Sequence, residues 1–313
     1  MKRRILVTGG AGFIGSGIAQ KLANDPDNFV VIVDNLQTGS ISKLPVSPHE
    51  NIKFIKADVN DFEDISSLLN AYRFHFVFHF AAMVGVKRTL AYPVKVLNDI
   101  TGIRNLLNLS KNTGVQRIYF SSSSEVYGEP VEFPQNEHTT PLNSRLPYAI
   151  VKNIGEAYLR AYKQEYDLDF TIFRFFNTYG PKQSKDFVMS KFINAALHNR
   201  DITVYGDGSQ TRTFCYIDDN VDACLSAFYN DRMVNDVVNI GTDNEITIKE
   251  LAETIIRVTG SKSKIVHLPA LKEGDMTRRC PDVSKMKELL NRPLTELEAG
   301  ITTLMSSKHL TES

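Results

Sequence analysis

Tyr148 and Lys152 are the residues of this chain whose types and spacing first indicate catalysis. They stand four positions apart near the start of a segment, 147–166, with helical periodicity, so their side chains share one helical face. A tyrosine hydroxyl is a poor base at its reference pKa of about 10, but a neighbouring ammonium group favours the phenolate and lowers that pKa. The pair could therefore take a proton from a substrate hydroxyl. Because Tyr-x-x-x-Lys is also a common pair on helix surfaces, a second feature has to support this interpretation.

A glycine-rich turn near the start of the chain is that second feature. An apolar run ends at Thr8, glycines follow at Gly9, Gly12 and Gly15, and a helical pattern then begins. Glycine allows a tight turn and close approach of backbone N–H groups, and a helix N-terminus favours a pyrophosphate. The second apolar run ends at Asp34, whose carboxylate can accept the ribose hydroxyls of NAD and repel the 2′-phosphate of NADP. The turn and Asp34 together predict an NAD site, and with it a hydride acceptor beside the tyrosine–lysine pair.

The elements that must position these residues alternate between strand and helix patterns over the first 180 residues. The predicted strands are 4–8, 29–34, 52–57, 75–80, 116–121 and 170–175, and the predicted helices are 13–25, 61–71, 92–112 and 147–166. Such alternation is typical of βαβ units, and entirely apolar strands fit a sheet that is buried on both faces. We therefore predict an α/β fold in which residues 1–180 form an NAD-binding domain around a Rossmann-type, doubly wound parallel sheet.

The pattern becomes less regular after residue 180. Helical patterns follow at 187–198, 218–229, 247–259 and 294–306, with a short strand and a turn-rich stretch around 206–209. We predict that residues 181–313 form a smaller C-terminal α/β lobe that mainly binds the substrate. This lobe would close over the carboxyl ends of the strands, where open α/β sheets bind their ligands, and short segments of 1–180 can belong to it.

Composition argues against several other classes of protein. The chain has 36 basic and 36 acidic residues, which does not favour a nucleic-acid or membrane-surface partner. The first strand begins almost at Met1, so we expect no signal peptide, and the longest apolar stretch, 74–86, is too short to span a bilayer. Cys215, Cys224 and Cys280 have no paired spacing, which favours buried, reduced thiols in the cytoplasm and no metal site. His79 is interpreted as a hydrogen-bonded residue at a strand end, without a catalytic role.

Six segments together resemble one family, the extended short-chain dehydrogenases/reductases that act as NAD-dependent nucleotide-sugar epimerases and dehydratases. The resemblance runs from Lys2 to about Leu297. The matching segments are 8–15 (TGGAGFIG), 79–82 (HFAA), 122–128 (SSSEVYG), 147–152 (PYAIVK), 174–181 (RFFNTYGP) and 204–212 (VYGDGSQTR). The combination is specific for the family and much less specific for one reaction.

The resemblance implies a role for each matching residue. Tyr148 would be the acid/base, Lys152 would also hold the nicotinamide ribose, and Ser123 would bond to the reacting hydroxyl. The implied cofactor contacts are Gly9, Gly12, Phe13, Ile14, Gly15, Asp34, Asn35, Asp58, Val59, Ala81, Tyr148 and Lys152. The implied contacts with a nucleotide-diphosphate sugar, for which a UDP-sugar is favoured, are Ser123, Ser124, Asn177, Arg212 and Arg279. Arg278 is interpreted as a surface residue.

Glu125 bears on which reaction follows oxidation of the sugar at C4. A 4-epimerase only has to return the hydride to the other face of the keto sugar, so it needs no second base. The family's epimerases commonly have a small or hydroxyl residue at this position, whereas its dehydratases and glucuronate decarboxylases have Glu. A carboxylate beside C5 could remove the proton there. Glu125 is therefore a fourth candidate catalytic residue, together with Ser123, Tyr148 and Lys152.

Three outcomes stay open at this point. A UDP-sugar 4-epimerase is the leading prediction, by analogy with the reaction that this architecture most often hosts. A lyase, either a UDP-glucuronate decarboxylase or a 4,6-dehydratase that uses Glu125, is the first alternative. The match of Arg279 favours decarboxylation, whereas segment 83–88 does not resemble the Pro-rich loop of typical decarboxylases. A catalytically silent scaffold that binds NAD and nucleotide sugars is the third.

Two further expectations come from the predicted helices. The family usually has Asn at the position of Asp99, and the change puts in doubt a local hydrogen bond behind the active site, for which Asn98 is a substitute. The helices at 92–112 and 147–166 carry apolar residues on more than one face. In the family the equivalent helices pack against those of a second copy, so we expect a homodimer.

Overall fold

The computed structural model describes residues 2–45, 50–269 and 278–306, without the side chains of Val86 and Lys87. The chain divides into two compact units. The first consists of Met1–Gly128, Leu142–Phe175 and Val221–Val238, and the second of Glu129–Pro141, Phe176–Asn220 and Asn239–Ser313. Residues 129–141 and 176–180 thus belong to the second unit, and 221–238 to the first. That the range 181–313 mainly binds the substrate stays a prediction.

A seven-stranded sheet forms the centre of the first unit. Its strands are β1 (Arg3–Thr8), β2 (Asn28–Asp34), β3 (Ile52–Lys56), β4 (Phe76–His79), β5 (Arg117–Ser123), β6 (Asp169–Phe175) and β11 (Asp236–Ile240). They are ordered β11-β6-β5-β4-β1-β2-β3, and each pairing from β6 to β3 is parallel. Because the chain moves outward from β1 in both directions, the order reverses between β1 and β4, which confirms the predicted doubly wound, Rossmann-type sheet.

Both faces of this sheet are buried. On one face, apolar strand residues such as Leu6, Val77 and Phe120 belong to a core cluster that also includes helix residues. On the other face, Phe78 and Tyr119 stack with ring centroids 4.4 Å apart, and the ring of Phe228 packs edge-on against both. The two-sided burial explains why the strand sequences are apolar without alternation.

Helices connect the strands of the first unit. They are α1 (Phe13–Ala23), α2 (Phe62–Tyr72), α3 (Val86–Ala91), α4 (Pro93–Leu97), α5 (Asp99–Thr113), α6 (Pro147–Tyr166) and part of α8 (Ile217–Tyr229). A 3-10 turn, Ser124–Tyr127, follows β5. None of the helices in the described ranges has the length and apolar character needed to cross a membrane.

The second unit combines helices with short strands. Its elements are β7 (Thr178–Tyr179), α7 (Val188–Leu197), β8 (Ile202–Tyr205), β9 (Thr211–Thr213), β10 (Cys215–Tyr216), β12 (Glu245–Thr247), α9 (Ile248–Thr259), β13 (Ile265–Leu268), α10 (Ser284–Leu290) and α11 (Leu297–Met305). The strands pair two by two, as β7 with β10, β8 with β13 and β9 with β12. Helix α9 begins with a capping box in which Thr247 and Glu250 satisfy each other's backbone N–H groups.

Several elements differ from the sequence prediction, and those that were not predicted include α3, α10 and the short strands β7, β9, β10, β12 and β13. The single helix predicted at 92–112 is divided at Asn98 into α4 and α5, because the amide of Thr101 bonds to the carbonyl of Asn98 three residues earlier. Strand β11 was not predicted. It joins the sheet beside β6, although the 60 residues 176–235 lie between the two strands.

Candidate active site

The glycine-rich turn has the geometry expected of a pyrophosphate site. Gly9 has a φ of +70°, and a Cβ there would lie 2.5 Å from the backbone nitrogen of Ala81. A Cβ on Gly15 would lie 2.3 Å from the carbonyl oxygen of Gly9. Helix α1 follows at once; its N-cap, Gly12, has no capping side chain and its first turn has no acidic residue. The helix N-terminus without a capping or acidic side chain, and a turn whose only side chain is the methyl group of Ala11, fit a bound dinucleotide phosphate.

Acidic and amide side chains gather at the carboxyl ends of β2 and β3. The Asp34 carboxylate accepts hydrogen bonds from the amides of Ala11 (3.0 Å) and Leu36 (2.8 Å), which ties it to the glycine-rich turn. The Asn35 side chain donates to Asp58 Oδ2 at 2.9 Å. The structure therefore brings Asp34, Asn35 and Asp58 together beside the turn, as an adenosine-binding edge requires.

The remaining predicted cofactor contacts surround the same turn. Phe13 and Ile14 begin α1 and are half-buried. Val59 follows Asp58 and is buried in the core cluster. The amide of Ala81, just after β4, donates to Thr8 Oγ1 at 3.4 Å. Their roles toward NAD remain predictions.

Ser123, Glu125 and Tyr148 lie together at the end of β5 and the start of α6. The Ser123 hydroxyl accepts a hydrogen bond from the amide of Glu125 (3.2 Å) and thereby caps the 3-10 turn. Burial raises the pKa of the Tyr148 phenol, the charge of Glu125 raises it further, and a hydrogen bond with Ser123 acts in the opposite direction. A hydroxyl, a carboxylate and a phenol thus form one polar group.

The expectation that Lys152 lowers the pKa of Tyr148 is not met in this structure, where the pKa of the phenol is raised. The Lys152 ammonium donates instead to the carbonyl of Ser121 at 2.6 Å and lies 5.7 Å from the centre of the Tyr148 ring. Burial lowers the pKa of Lys152 to about 8, although the charge of Asp99 acts against this. The phenol therefore keeps its proton near neutral pH unless a bound cation adds its charge.

Asp99 is a member of this site that sequence reasoning did not assign. Its carboxylate accepts a hydrogen bond from the amide of Met83 (2.7 Å) and another from the side chain of Asn60. Burial raises the pKa of Asp99, and the charge of Lys152 opposes the rise. Asp99 thus makes local hydrogen bonds of its own, whereas the side chain of Asn98 makes no hydrogen bond at the helix cap. The presence of Asp at a position where the family usually has Asn was the only sequence feature that pointed to this residue. It did not indicate that the Asp99 carboxylate acts on Lys152.

His79 has the role expected of it. Its ring is buried and shares a 2.7 Å hydrogen bond with the hydroxyl of Thr8. Burial, helped by the charge of Lys152, lowers its pKa to about 3. The imidazole is therefore neutral and weakly basic at physiological pH.

The predicted substrate residues fall in both units. Ser124 is buried in the 3-10 turn of the first unit. Asn177, Arg212 and Arg279 belong to the second, where the Asn177 side chain donates to the carbonyl of Thr213 (3.1 Å).

Arg212 lies on β9, opposite Ile246 of β12, and Arg279 is 8% exposed. The neighbouring Arg278 forms a two-pronged ion pair with Glu245, at 2.6 and 2.8 Å, and about half of its side chain is exposed. This agrees with its interpretation as a surface residue.

Known proteins resemble the whole chain. Residues 5–241 match the sequence model of the NAD dependent epimerase/dehydratase family. A UDP-N-acetyl-alpha-D-glucosaminuronate decarboxylase of Bacillus cytotoxicus is 38% identical, with 96% of each chain covered. The UDP-glucose 4-epimerase of Thermotoga maritima, solved with UDP-glucose, has a TM-score of 0.90, 34% identity and coverage of 96% and 97%.

A third relative was solved with NAD bound. The UDP-glucose 4-epimerase of Thermus thermophilus, solved in complex with NAD, has a TM-score of 0.88, 28% identity and coverage of 99% of both chains. The family model and the first two relatives confirm the resemblance predicted from the six motifs, and the family model and the relative solved with NAD confirm the predicted cofactor. The chain belongs to the NAD-dependent epimerase/dehydratase family.

Proposed function

We propose that this enzyme binds a UDP-sugar uronate, oxidises its C4 hydroxyl and releases its C6 carboxylate as carbon dioxide. The observation that carries the proposal is the position of Glu125 in the 3-10 turn after β5, where its amide donates to the Ser123 hydroxyl at 3.2 Å and its charge acts on the Tyr148 phenol. A carboxyl group beside the acid/base is needed when C5 has to gain or lose a proton. It has no task in a simple inversion at C4.

In the first step, Tyr148 takes the proton of the C4 hydroxyl and Ser123 holds the oxygen by a hydrogen bond. Bound NAD supplies the hydride acceptor and, when oxidised, a positive charge. Lys152, which retains its proton below a pKa of about 8, adds a second positive charge near the phenol. Both charges favour the phenolate and offset the effect of burial.

In the second step, the C4 ketone makes the C6 carboxylate part of a β-keto acid. The C5–C6 bond breaks, carbon dioxide leaves, and the electron pair remains as an enolate over C5, C4 and the C4 oxygen. Glu125 would take up one proton from solvent and deliver it to C5, the hydride would return from NAD to C4, and Tyr148 would return its proton to the C4 oxygen. The cofactor would thus be unchanged, and one uronate and one proton would yield one pentose and one carbon dioxide.

The relatives support the choice of an acidic substrate. The Bacillus cytotoxicus relative is a UDP-N-acetyl-alpha-D-glucosaminuronate decarboxylase, and the sugar in that name is an acidic one. We propose that Asn177, Arg212 and Arg279 of the second unit hold the diphosphate and the sugar, because an arginine fork matches the geometry of phosphate and carboxylate oxygens.

A UDP-sugar 4-epimerase, the leading prediction from the sequence, is the second candidate. It is favoured by the similarity to the Thermotoga maritima 4-epimerase, whose fold matches over nearly the whole chain. It would use the same first step through Ser123, Tyr148 and Lys152 and would leave Glu125 without a task.

The decisive experiment supplies the NAD-loaded protein with UDP-glucuronate, its 2-acetamido analogue, UDP-glucose and UDP-N-acetylglucosamine. We expect carbon dioxide and a UDP-pentose from an acidic sugar. Inversion at C4 without carbon dioxide would establish the epimerase instead. Failure of every sugar to reduce the bound nicotinamide would leave only a binding scaffold.

Glu125→Gln tests the second step separately. The variant keeps the size and one acceptor of the side chain but cannot supply a proton. We expect normal reduction of the nicotinamide and formation of the pentose slowed about 100-fold, as is typical for loss of a general acid. Glu129→Gln, an exposed substitution four residues later, is the matched control. Full turnover by Glu125→Gln would remove the case for decarboxylation through this group.

We also propose that the enzyme is a homodimer. Along α6, the rings of Tyr158, Tyr162 and Tyr166 form a row, and the ammonium of Lys111 on α5 lies 4.0 Å from the centre of the Tyr166 ring. Val94 on the adjoining α4 is 72% exposed. Tyr166 is 47% exposed, whereas Tyr158 and Tyr162 are partly buried. Exposed aromatic and apolar residues on neighbouring helices are typical of an interface between copies. Light scattering at micromolar concentration should give the mass of a dimer, and a monomer mass would contradict the proposal.

A cytoplasmic location is proposed on separate grounds. Cys215, Cys224 and Cys280 are buried and free, and burial raises the thiol pKa of each. Unpaired buried thiols are usual in a reducing compartment. Fractionation of cells that produce the protein should recover it with the cytoplasmic proteins.

A further inference from the structure

A fully buried ion pair lies one turn beyond Lys152 on α6. Glu156, four residues after Lys152, accepts two hydrogen bonds from the guanidinium of Arg174 on β6, Nε to Oε1 at 2.9 Å and Nη2 to Oε2 at 2.7 Å. Neither side chain is more than 2% exposed. Burial alone would raise the pKa of Glu156, but the hydrogen bonds and charge of Arg174 hold it below its usual range. Both groups are therefore charged and fixed in orientation.

Each member of the ion pair also bonds to a residue next to the segment that contains Ser123 and Glu125. The Ser122 hydroxyl donates to Glu156 Oε1 at 2.6 Å. Arg174 Nη1 donates to the hydroxyl of Tyr127 at 2.9 Å. Ser122 directly precedes Ser123, and Tyr127 comes two residues after Glu125, so the polar contacts enclose the 3-10 turn.

The same contacts connect that turn to α6. Tyr148, Lys152 and Glu156 follow one another at intervals of four residues and share one face of the helix. Ser122 and Arg174 are register partners on β5 and β6, so their side chains project from the same face of the sheet. One connected set of bonds thus joins β5, the 3-10 turn, α6 and β6.

Apolar residues could fill this space at no loss of stability. Burying two charges is costly, and replacing a buried ion pair with packed hydrophobic residues is often neutral or stabilising. The charged pair instead fixes the relative positions of the elements that it joins, because each of its hydrogen bonds requires a particular distance and angle. A group of catalytic side chains on different elements needs such fixed directions, since a displacement of about 1 Å can cost about 100-fold in rate.

We propose that Ser122, Tyr127, Glu156 and Arg174 form a positioning network that sets Ser123 and Glu125 at the correct distance from Tyr148 and Lys152. This rests on the proposed roles of those four catalytic residues. No member of the network is assigned a contact with substrate or cofactor. Weakening the network should therefore reduce kcat more than it raises KM, and it should loosen the 3-10 turn.

Two variants test the network in the full-length, NAD-loaded protein. Tyr127→Phe removes one hydroxyl from the turn and keeps the ring. The double variant Glu156→Leu/Arg174→Met replaces the ion pair with apolar side chains of similar size, so that no charge is left buried alone. Arg160→Met is the control, because Arg160 approaches Glu156 at 3.4 Å and its side chain is 47% exposed.

For both test variants we expect kcat to fall about 10-fold to 100-fold, KM to change less than about threefold, and amide hydrogen exchange over 124–128 to accelerate. Arg160→Met should match the wild type in all three. Wild-type kcat and exchange in a folded Tyr127→Phe and a folded double variant would overturn the proposal, as would a loss of stability with kcat unchanged. If the wild type turns over no UDP-sugar, the proposed function fails, and exchange over 124–128 alone decides whether the network positions the turn.

Discussion

At the scale of single residues, the proton chemistry of this site depends on two displaced pKa values. Burial raises the pKa of Tyr148 and lowers that of Lys152 to about 8, so each group is held in its neutral form over a wider pH range than in water. Two carboxylates, Glu125 and Asp99, add to the rise at Tyr148. The structure therefore favours a protonated Tyr148 phenol in the absence of the cofactor. The positive charge of oxidised NAD would favour the phenolate, so proton transfer should depend on binding of the oxidised cofactor.

Asp99→Asn tests this balance of charges. The amide oxygen can keep the bond from the Met83 amide, but the negative charge that raises the pKa of Lys152 is lost. Lys152 should then lose its proton at a lower pH, and the alkaline limb of the pH profile for nicotinamide reduction should move to lower pH.

The profile of kcat/KM between about pH 6 and pH 10 would measure this, across the pKa range of the lysine and tyrosine groups. Asp167→Asn, at the exposed end of α6, is the control for the loss of one negative charge. A limb that stays in place in Asp99→Asn would mean that Asp99 does not act on Lys152.

At the scale of elements, Glu245 links strand β12 of the second unit to β9 and to the segment that contains Arg278. This residue begins β12 and bonds to Arg278 with two prongs and to the hydroxyl of Thr211 on β9 at 3.0 Å. The guanidinium of Arg278 also lies 4.1 Å from the centre of the Phe133 ring. Thr211 and Arg278 adjoin the two proposed substrate arginines, Arg212 and Arg279, so Glu245 holds the backbone beside both.

Arg278→Ala should consequently weaken substrate binding more than folding. An exposed ion pair of this kind contributes little to stability, so the melting temperature should change by only a few degrees. We expect KM for the UDP-sugar to rise about 3-fold to 10-fold. Arg257→Ala breaks another exposed ion pair of the same unit, with Glu298, and should leave KM unchanged. Equal effects of the two variants on KM would contradict a local role for Arg278.

The sequence was informative where chemistry depends on neighbours along the chain. The glycines of the first turn, Asp34 at the end of β2, and the four-residue spacing of Tyr148 and Lys152 follow from backbone geometry alone, and each could be read directly. Contacts between distant positions could not be predicted in this way. Ser122 and Glu156 are 34 residues apart, and Tyr127 and Arg174 are 47 apart, so their bonds exist only once the sheet and helices have packed. The raised pKa of Tyr148 was missed for the same reason, because its main cause is burial in the packed fold and the charges that add to it lie on the 3-10 turn and on α5.

At the scale of the whole molecule, binding of the cofactor should be visible as stability. A ligand that binds only the folded state stabilises it by about 2.7 kcal/mol at a concentration 100 times its Kd. The proposed contacts for NAD belong to the first unit, whose sheet and helices hold the glycine-rich turn, Asp34 and Lys152. NAD should therefore raise the unfolding temperature of that unit.

Comparing NAD with NADP turns this into a test of Asp34. Its carboxylate is held by the amides of Ala11 and Leu36, so it cannot move away from an added 2′-phosphate without breaking those bonds. Thermal denaturation followed by circular dichroism should show stabilisation by NAD and a much smaller effect of NADP at the same concentration. In Asp34→Asn, which keeps one oxygen acceptor and loses the charge, the difference between the two cofactors should shrink. Equal protection of the wild type by NADP would mean that Asp34 does not face the ribose, and the proposed orientation of the cofactor on the first unit would be wrong.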